Sequence, residues 1–243
     1  MWMFFNRLGN ILSDVLSLLL PRACICCSEV LANTETGICT RCRRTAPLTQ
    51  MWRLSENDMT DKFCGVVPVE RASAFMWYIP NSPWRKVIHS LKYRKRWRMA
   101  VDMGEWYGHM LAEEGLLDDV DMVVPVPLHW RRRVWRGYNQ SEYIALGISR
   151  VSGVPVEFDA VARVKYNPSQ TRQTRYIRWG NVSEVFAVPW VERVRGKRIL
   201  LVDDVCTTGA TISSCVLAIV EACDGEVKID IATLAMPLPL TMR

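Results

Sequence analysis

The hydrophobic positions of this 243-residue chain change rhythm several times, and each change marks an element. Ile199, Leu200, Leu201 and Val202 form an unbroken aliphatic run, the pattern of a strand buried on both faces of a parallel sheet. After a short stretch of small and hydroxyl residues the spacing becomes helical. Ile212, Val216, Ile219 and Val220 then share one face of a helix predicted from Ala210 to Cys223. The same succession occurs upstream. Asp121 to Pro127 is a short apolar strand, the segment from Leu128 to Gln140 is a polar loop, and Ser141 to Arg150 is a helix with Ile144, Ala145 and Ile148 on one face. Glu226 to Met236 reads as a late strand, and Val87, Ile88 and Leu91 give a helix within Trp84 to Arg98 its apolar stripe. Strands alternating with helices predict an open α/β fold, a parallel sheet with helices on both faces.

The first residues follow a third pattern. Phe4, Phe5, Leu8, Ile11, Leu12, Val15, Leu18 and Leu19 fall on one helical face, and Pro21 stops the run. This predicts an amphipathic arm over residues 1–22. Arg7 and Asp14 interrupt the apolar run and no small-x-small cleavage site follows, so the arm is not read as a secretory signal. No segment offers the roughly twenty apolar residues that a membrane span needs. The expected location is the cytoplasm.

Nine cysteines are many for a cytoplasmic chain, and their spacing gives them meaning. Cys24 and Cys27 form one Cys-x-x-Cys pair, Cys39 and Cys42 a second, with Cys26 as a spare thiol. Two such pairs across a short loop have the spacing of a tetrahedral four-cysteine zinc site. Gly37 supplies a permissive backbone just before the second pair. The predicted organisation is therefore the arm over 1–22, a zinc ribbon over 23–45, a connector over 46–66 and the α/β domain over 67–243. Cys206 is expected as a loop thiol, Cys215 and Cys223 as small buried hydrophobes.

Thirty-one Lys and Arg against twenty-five Asp and Glu leave a formal net charge of +6, which suits phosphorylated ligands or nucleic acid without choosing between them. The run from Arg198 to Thr211 sharpens this. Asp203 and Asp204 stand where the strand ends, and Cys206, Thr207, Thr208, Gly209, Ala210 and Thr211 then open a helix. Such a loop presents free N–H groups and the positive end of a helix dipole, which suits phosphate. The two carboxylates suit ribose hydroxyls or Mg²⁺ instead. The turn is read as a site for a phosphorylated sugar. Arg131, Arg132, Arg133 and Arg136 follow the upstream strand, and arginine forks suit phosphate oxygens. Trp84 to Arg98 interleaves Trp84, Tyr93 and Trp97 with basic residues. That composition fits single-stranded nucleic acid, and equally the solvated outer face of a core-packed helix. His89 and His109 are read as structural.

The Arg198–Thr211 segment resembles the 5-phosphoribosyl 1-pyrophosphate (PRPP) motif of type I phosphoribosyltransferases. The resemblance implies that Asp203 and Asp204 contact ribose hydroxyls and that the Cys206–Thr211 loop cradles the 5-phosphate, with Mg²⁺ accompanying PRPP. Purine-salvage members carry Asp immediately before the Thr-Gly, where this chain has Thr207, so the acceptor is left open. More narrowly, Val124-Pro-Val-Pro-Leu-His-Trp-Arg-Arg-Arg-Val-Trp-Arg-Gly-Tyr-Asn-Gln140 resembles the ComF family signature. The cysteine-rich N-terminus, Leu91-Lys92-Tyr93, and the Asn167–Val182 stretch agree with that family. In that stretch Gln170, Arg172, Gln173, Arg175 and Arg178 are expected in a flexible loop that folds over pyrophosphate. The resemblance implies a PRPP-binding phosphoribosyltransferase site linked to single-stranded DNA uptake, with DNA-uptake proteins such as a helicase as partners, or to nucleotide metabolism. Its alternative is a non-catalytic DNA-binding or protein-interaction scaffold that keeps a sensory or vestigial pocket.

Overall fold

The computed structural model describes residues 22–93, 96–164 and 185–239. The expected arm up to Pro21, the loop residues Gln170, Arg172, Gln173, Arg175 and Arg178, and Arg94 and Lys95 of the basic stretch lie outside the described residues.

A short helix α1 (Thr40–Arg44) and a second, α2 (Asp58–Phe63), precede the first strand, β1 (Arg71–Tyr78). Helices α3 (Trp84–Tyr93) and α4 (Trp97–Glu113) lead to β2 (Met122–Pro125), followed by α5 (Trp130–Arg136) and α6 (Gln140–Ser152). The two-residue strands β3 (Ala162–Arg163) and β4 (Phe186–Ala187) pair antiparallel. The chain closes with α7 (Val191–Val194), β5 (Arg198–Val205), α8 (Ala210–Ala222) and β6 (Lys228–Pro237). Four strands form one parallel sheet in the order β1–β6–β5–β2. A bridge from Val123 to Val156 adds a further parallel contact beyond β2.

The apolar run of β5 sits in the middle of the sheet, as a strand buried on both faces must. Leu200 and Val202 join one core with Val87, Ile88 and Leu91 of α3, Met103 and Tyr107 of α4, and Ile144 and Ile148 of α6. Ile199 and Leu201 face the other core, with Met59 and Phe63 of α2 and Ile212, Cys215, Val216 and Ile219 of α8. Helices on both faces of a parallel sheet bear out the expected fold.

Two helices pack unusually close. A Cβ on Gly104 of α4 would lie 2.2 Å from the Ile144 carbonyl oxygen, and one on Gly147 of α6 would lie 2.2 Å from that of Val101. Only glycine lets the two backbones touch there. This contact anchors α6, whose first turn faces the site.

Two elements differ from the sequence reading. The stretch after β2, read as a loop, contains the two-turn helix α5, which buries none of its residues and so shows no apolar period. The basic stretch, read as one helix, divides into α3 and α4. Its apolar stripe is where expected, with Val87, Ile88 and Leu91 buried.

Candidate functional site

The site forms where β5 leaves the sheet. The strand continues through both acids, and Asp203 still pairs in register with Thr233 of β6. Asp203 lies at the floor of a cleft of about 570 Å³. Its Oδ1 accepts a hydrogen bond from the Ser141 hydroxyl at 2.9 Å and another from the Asp204 backbone N–H at 2.9 Å. Burial pushes its carboxyl up to about 7, and the neighbouring Asp204 charge adds to that effect. Asp204 Oδ2 pairs with Lys92 Nζ of α3 at 3.0 Å.

Behind the acids the chain turns through Cys206–Gly209 into α8. The Cys206 N–H donates to the Ala235 carbonyl at 2.9 Å, and its side chain is buried in the core. Thr207 and Thr208 are exposed, and among the described residues their backbone N–H groups have no hydrogen-bond partner. Gly209 takes φ 82°, the left-handed region, as the N-cap of α8. Thr207 and Thr211 line the cleft. Above Gly209 sits α2: a Cβ at that position would lie 3.2 Å from Phe63 and 3.3 Å from the Lys62 side chain.

The facing wall carries donors. Arg131, Arg132 and Arg136 of α5 line the cleft, together with Asn139, Gln140 and Arg163. His129 caps α5 by accepting from the Arg131 N–H at 3.2 Å, and Gly137 ends the helix at φ 83°. Asn139 then caps α6 while donating to the Val126 carbonyl at 3.0 Å, which ties the wall to the end of β2. Arg136 Nη1 donates to Gln140 Oε1 at 3.0 Å. The buried Gln140 Nε2 and Arg163 Nε have no hydrogen-bond partner among the described residues. Burial, and then the charge of Arg132, pull the Arg163 guanidinium below its usual range. Arg133 does not line the cleft; it pairs with Glu142 at 3.0 Å. Helix α5 leaves Trp130, Val134 and Trp135 exposed, Trp135 also lining the cleft, with the Arg131 guanidinium 5.3 Å above the Trp130 ring centre.

Carboxylates on the floor, a free backbone nest beside them and guanidinium groups opposite make a cleft of mixed sign. It can hold a diol against the acids while two anionic groups sit apart, one on the loop and one on the arginine wall. Sequence reading missed Lys92, Ser141, Gln140 and Arg163 as members of this cleft. Lys92 appeared within the basic stretch and in the Leu91-Lys92-Tyr93 resemblance, with no role in the cleft. Asn139, Gln140 and Ser141 gave a signal, since they open a helix directly after the arginine segment.

A second cluster lies at the N-terminal end. The Sγ atoms of Cys24, Cys27, Cys39 and Cys42 all fall within 4.8 Å of one another, and those of Cys27 and Cys39 are 3.7 Å apart. A tetrahedral Zn²⁺ with Zn–S bonds of about 2.3 Å separates its sulfurs by about 3.8 Å, so the donor set fits that ion. Burial raises the Cys24 thiol, but backbone N–H groups of Cys27, Cys39 and Cys26 outweigh it and bring it down to about 6. Buried Cys26, by contrast, is pushed up to about 12 by burial and by the charge of Cys24. Ile38 and Leu31 join the same core as Met99 and Ala100, so the cluster is packed on α4.

The phosphoribosyl transferase domain family matches residues 140–238, which span α6, both acids and the loop that follows them. The DNA utilization protein YhgH of Escherichia coli strain K12 is 30% identical over 213 residues, covering 81% of this chain and 89% of its own. Competence protein F of Haemophilus influenzae is 33% identical over 94 residues, 38% of this chain and 41% of its own. A solved structure, the glutamine PRPP amidotransferase of B. subtilis, covers 59% of this chain and 30% of its own at 23% identity and a TM-score of 0.40. With the type I phosphoribosyltransferase fold and the cysteine cluster in front of it, the chain belongs to the ComF family.

Proposed function

We propose that the chain binds PRPP at the tip of β5 and is a Mg²⁺-dependent phosphoribosyltransferase. The observation that carries this reading is the cleft of mixed sign. Asp203 and Asp204 accept from the ribose hydroxyls, the Thr207–Thr211 loop takes the 5-phosphate, and Arg131, Arg132, Arg136 and Arg163 take the pyrophosphate. Gln140 Nε2, buried without a partner, gains one from a pyrophosphate oxygen, which offsets its desolvation. Bound with PRPP beside Asp203 and Asp204, Mg²⁺ would supply charge neutralisation for the leaving group. The protein's own contribution is to position ribose and to hold the departing charge against fixed guanidinium groups. The four thiolates of Cys24, Cys27, Cys39 and Cys42 hold a structural Zn²⁺. The names of the relatives support a role in competence and DNA use. Titration calorimetry with PRPP, with and without Mg²⁺, tests the reading.

One observation favours the alternative of a DNA-binding protein with a sensory pocket. Trp130 and Trp135 are 62% and 70% exposed on a helix of four arginines, a surface suited to stacking single-stranded bases. If it binds a single strand, affinity falls steeply with salt, and Trp130→Ala with Trp135→Ala weakens it by tenfold or more, at about 1–3 kcal/mol per stacked base. Salt-independent or absent binding removes this reading.

A further inference from the structure

Helix α2 lies between the cysteine cluster and the first strand, outside the residues that the phosphoribosyl transferase family matches. It is held firmly at its start. Asn57 Oδ1 accepts from the Met59 and Thr60 N–H groups at 2.8 and 3.1 Å, and Asn57 Nδ2 donates to the Ala72 carbonyl of β1 at 3.0 Å. Met59 and Phe63 are buried in the same core as Ile212 and Val216, so α2 is fixed against the helix that the Thr207–Thr211 loop opens. Lys62, beside Phe63, is only half-buried, and its stem runs alongside Gly209. A Cβ on that glycine would lie 3.5 Å from Lys62 Cγ and 3.3 Å from its Cδ. Among the described residues the Lys62 ammonium forms no ion pair, not even with Asp58 or Asp61 of its own helix. Its charge is felt within the loop all the same. Burial pushes the Cys206 thiol up to about 12, and Lys62 pulls against that rise.

Resting on the PRPP reading, we infer that the Lys62 ammonium closes over the sugar 5-phosphate, which makes α2 part of the binding site and Lys62 a determinant of its preference for a terminal phosphate. A phosphate monoester carries close to two negative charges at neutral pH. The loop offers it neutral N–H groups and a helix dipole, while the acids beside the loop repel a further anion. The other cations of the cleft are engaged elsewhere. Lys92 is paired with Asp204 at 3.0 Å, and Arg131, Arg132, Arg136 and Arg163 belong to the facing wall. Lys62 brings a cation to the loop's own side, beside the Thr207 and Thr208 N–H groups that have no partner among the described residues. A lysine suits the task. Its apolar stem covers Gly209 while the compact ammonium on the flexible end reaches past it. A lysine in the last turn also complements the dipole of α2 itself. That role stabilises the helix and leaves ligand affinity alone, so binding measurements separate the two.

The test uses the full chain with Mg²⁺ and three probes. These are PRPP, ribose 5-phosphate, which keeps the 5-phosphate without the pyrophosphate, and inorganic pyrophosphate, which is the reverse. Calorimetry compares wild type with Lys62→Met, which keeps the stem and removes the charge, and with Lys62→Arg, which keeps the charge. Lys62→Met is expected to weaken PRPP and ribose 5-phosphate about tenfold, the loss of one charge-assisted contact, while pyrophosphate affinity changes by less than about twofold. Lys62→Arg is expected to recover most of that loss. Lys62→Gln repeats the measurement should Lys62→Met disturb the fold, which the melting temperature reports. Unchanged affinity for PRPP and ribose 5-phosphate in the charge-free variants overturns the inference. An equal loss for pyrophosphate overturns it too, since that marks a general field effect of one charge. Failure of the wild type to bind PRPP is a separate result, and removes the underlying reading as well.

Discussion

The Ser141 hydroxyl donates to Asp203 Oδ1 at 2.9 Å, tying the first turn of α6 to the tip of β5. Burial holds the Asp203 carboxyl near 7, far above its ordinary range, and the Ser141 bond partly offsets that effect. The folded state therefore keeps a proton on Asp203 between about pH 4 and 7 that the unfolded chain has lost. Through this group, stability falls as pH rises across that window. Ligand binding runs the other way, because the ribose-accepting carboxylate appears only as pH passes 7. At pH 6 about one Asp203 in ten is ionised, so PRPP is expected to bind about tenfold more weakly than at pH 8. Ser141→Ala, which removes a charge-assisted bond worth about 1.5–3 kcal/mol, should move the rise upward by about one pH unit or more. Calorimetry at both pH values checks this, with Asp203→Asn as a variant that loses the dependence.

The cysteine cluster predicts one Zn²⁺ per chain, measured by elemental analysis, and its loss in Cys39→Ser. Because Cys39 and Cys42 share a core with Met99 and Ala100, removing the metal should also lower the melting temperature of the folded chain. Cys24–Cys27 or Cys39–Cys42 disulfides in a non-reduced peptide map would contradict the assignment.

The α4–α6 contact predicts a sharp size limit. Gly147→Val places a branched side chain where even a Cβ meets the Val101 carbonyl oxygen at 2.2 Å. It should destabilise the fold by about 1–3 kcal/mol or more, read as a drop in the urea midpoint. Gly153→Ala, at a helix end with open space around it, is expected to cost less, through its φ of 74° alone. Equal midpoints for the two variants would contradict the close packing.

These relationships divide by how far apart their residues lie in the chain. The strand, acid pair, phosphate loop and helix from Arg198 to Cys223 are contiguous, so residue type and order carry the whole unit. The cysteine pairs are legible for the same reason. Lys92 and Arg163 enter the cleft from α3 and β3, and nothing local marks a residue whose partner is more than a hundred positions away, as Asp204 is from Lys92. Helix α5 escaped because it buries no side chain, and hydrophobic period reports only elements with a buried face. Helix α4 was not singled out either; Gly104 and Gly108 interrupt its apolar face, and their purpose shows only when α6 lies against them.

The central claim is that the tip of β5 holds PRPP, and calorimetric titration with PRPP and Mg²⁺ tests it most directly. The wild-type chain is expected to bind, and Asp203→Asn with Asp204→Asn to weaken binding at least tenfold, since each carboxylate–hydroxyl bond is worth about 1.5–3 kcal/mol. Gly209→Val is expected to weaken it as well, because Gly209 has φ 82° and its Cβ would press on Phe63 at 3.2 Å. Equal PRPP affinity in wild type and the double variant, or no binding by the wild type, would contradict the account.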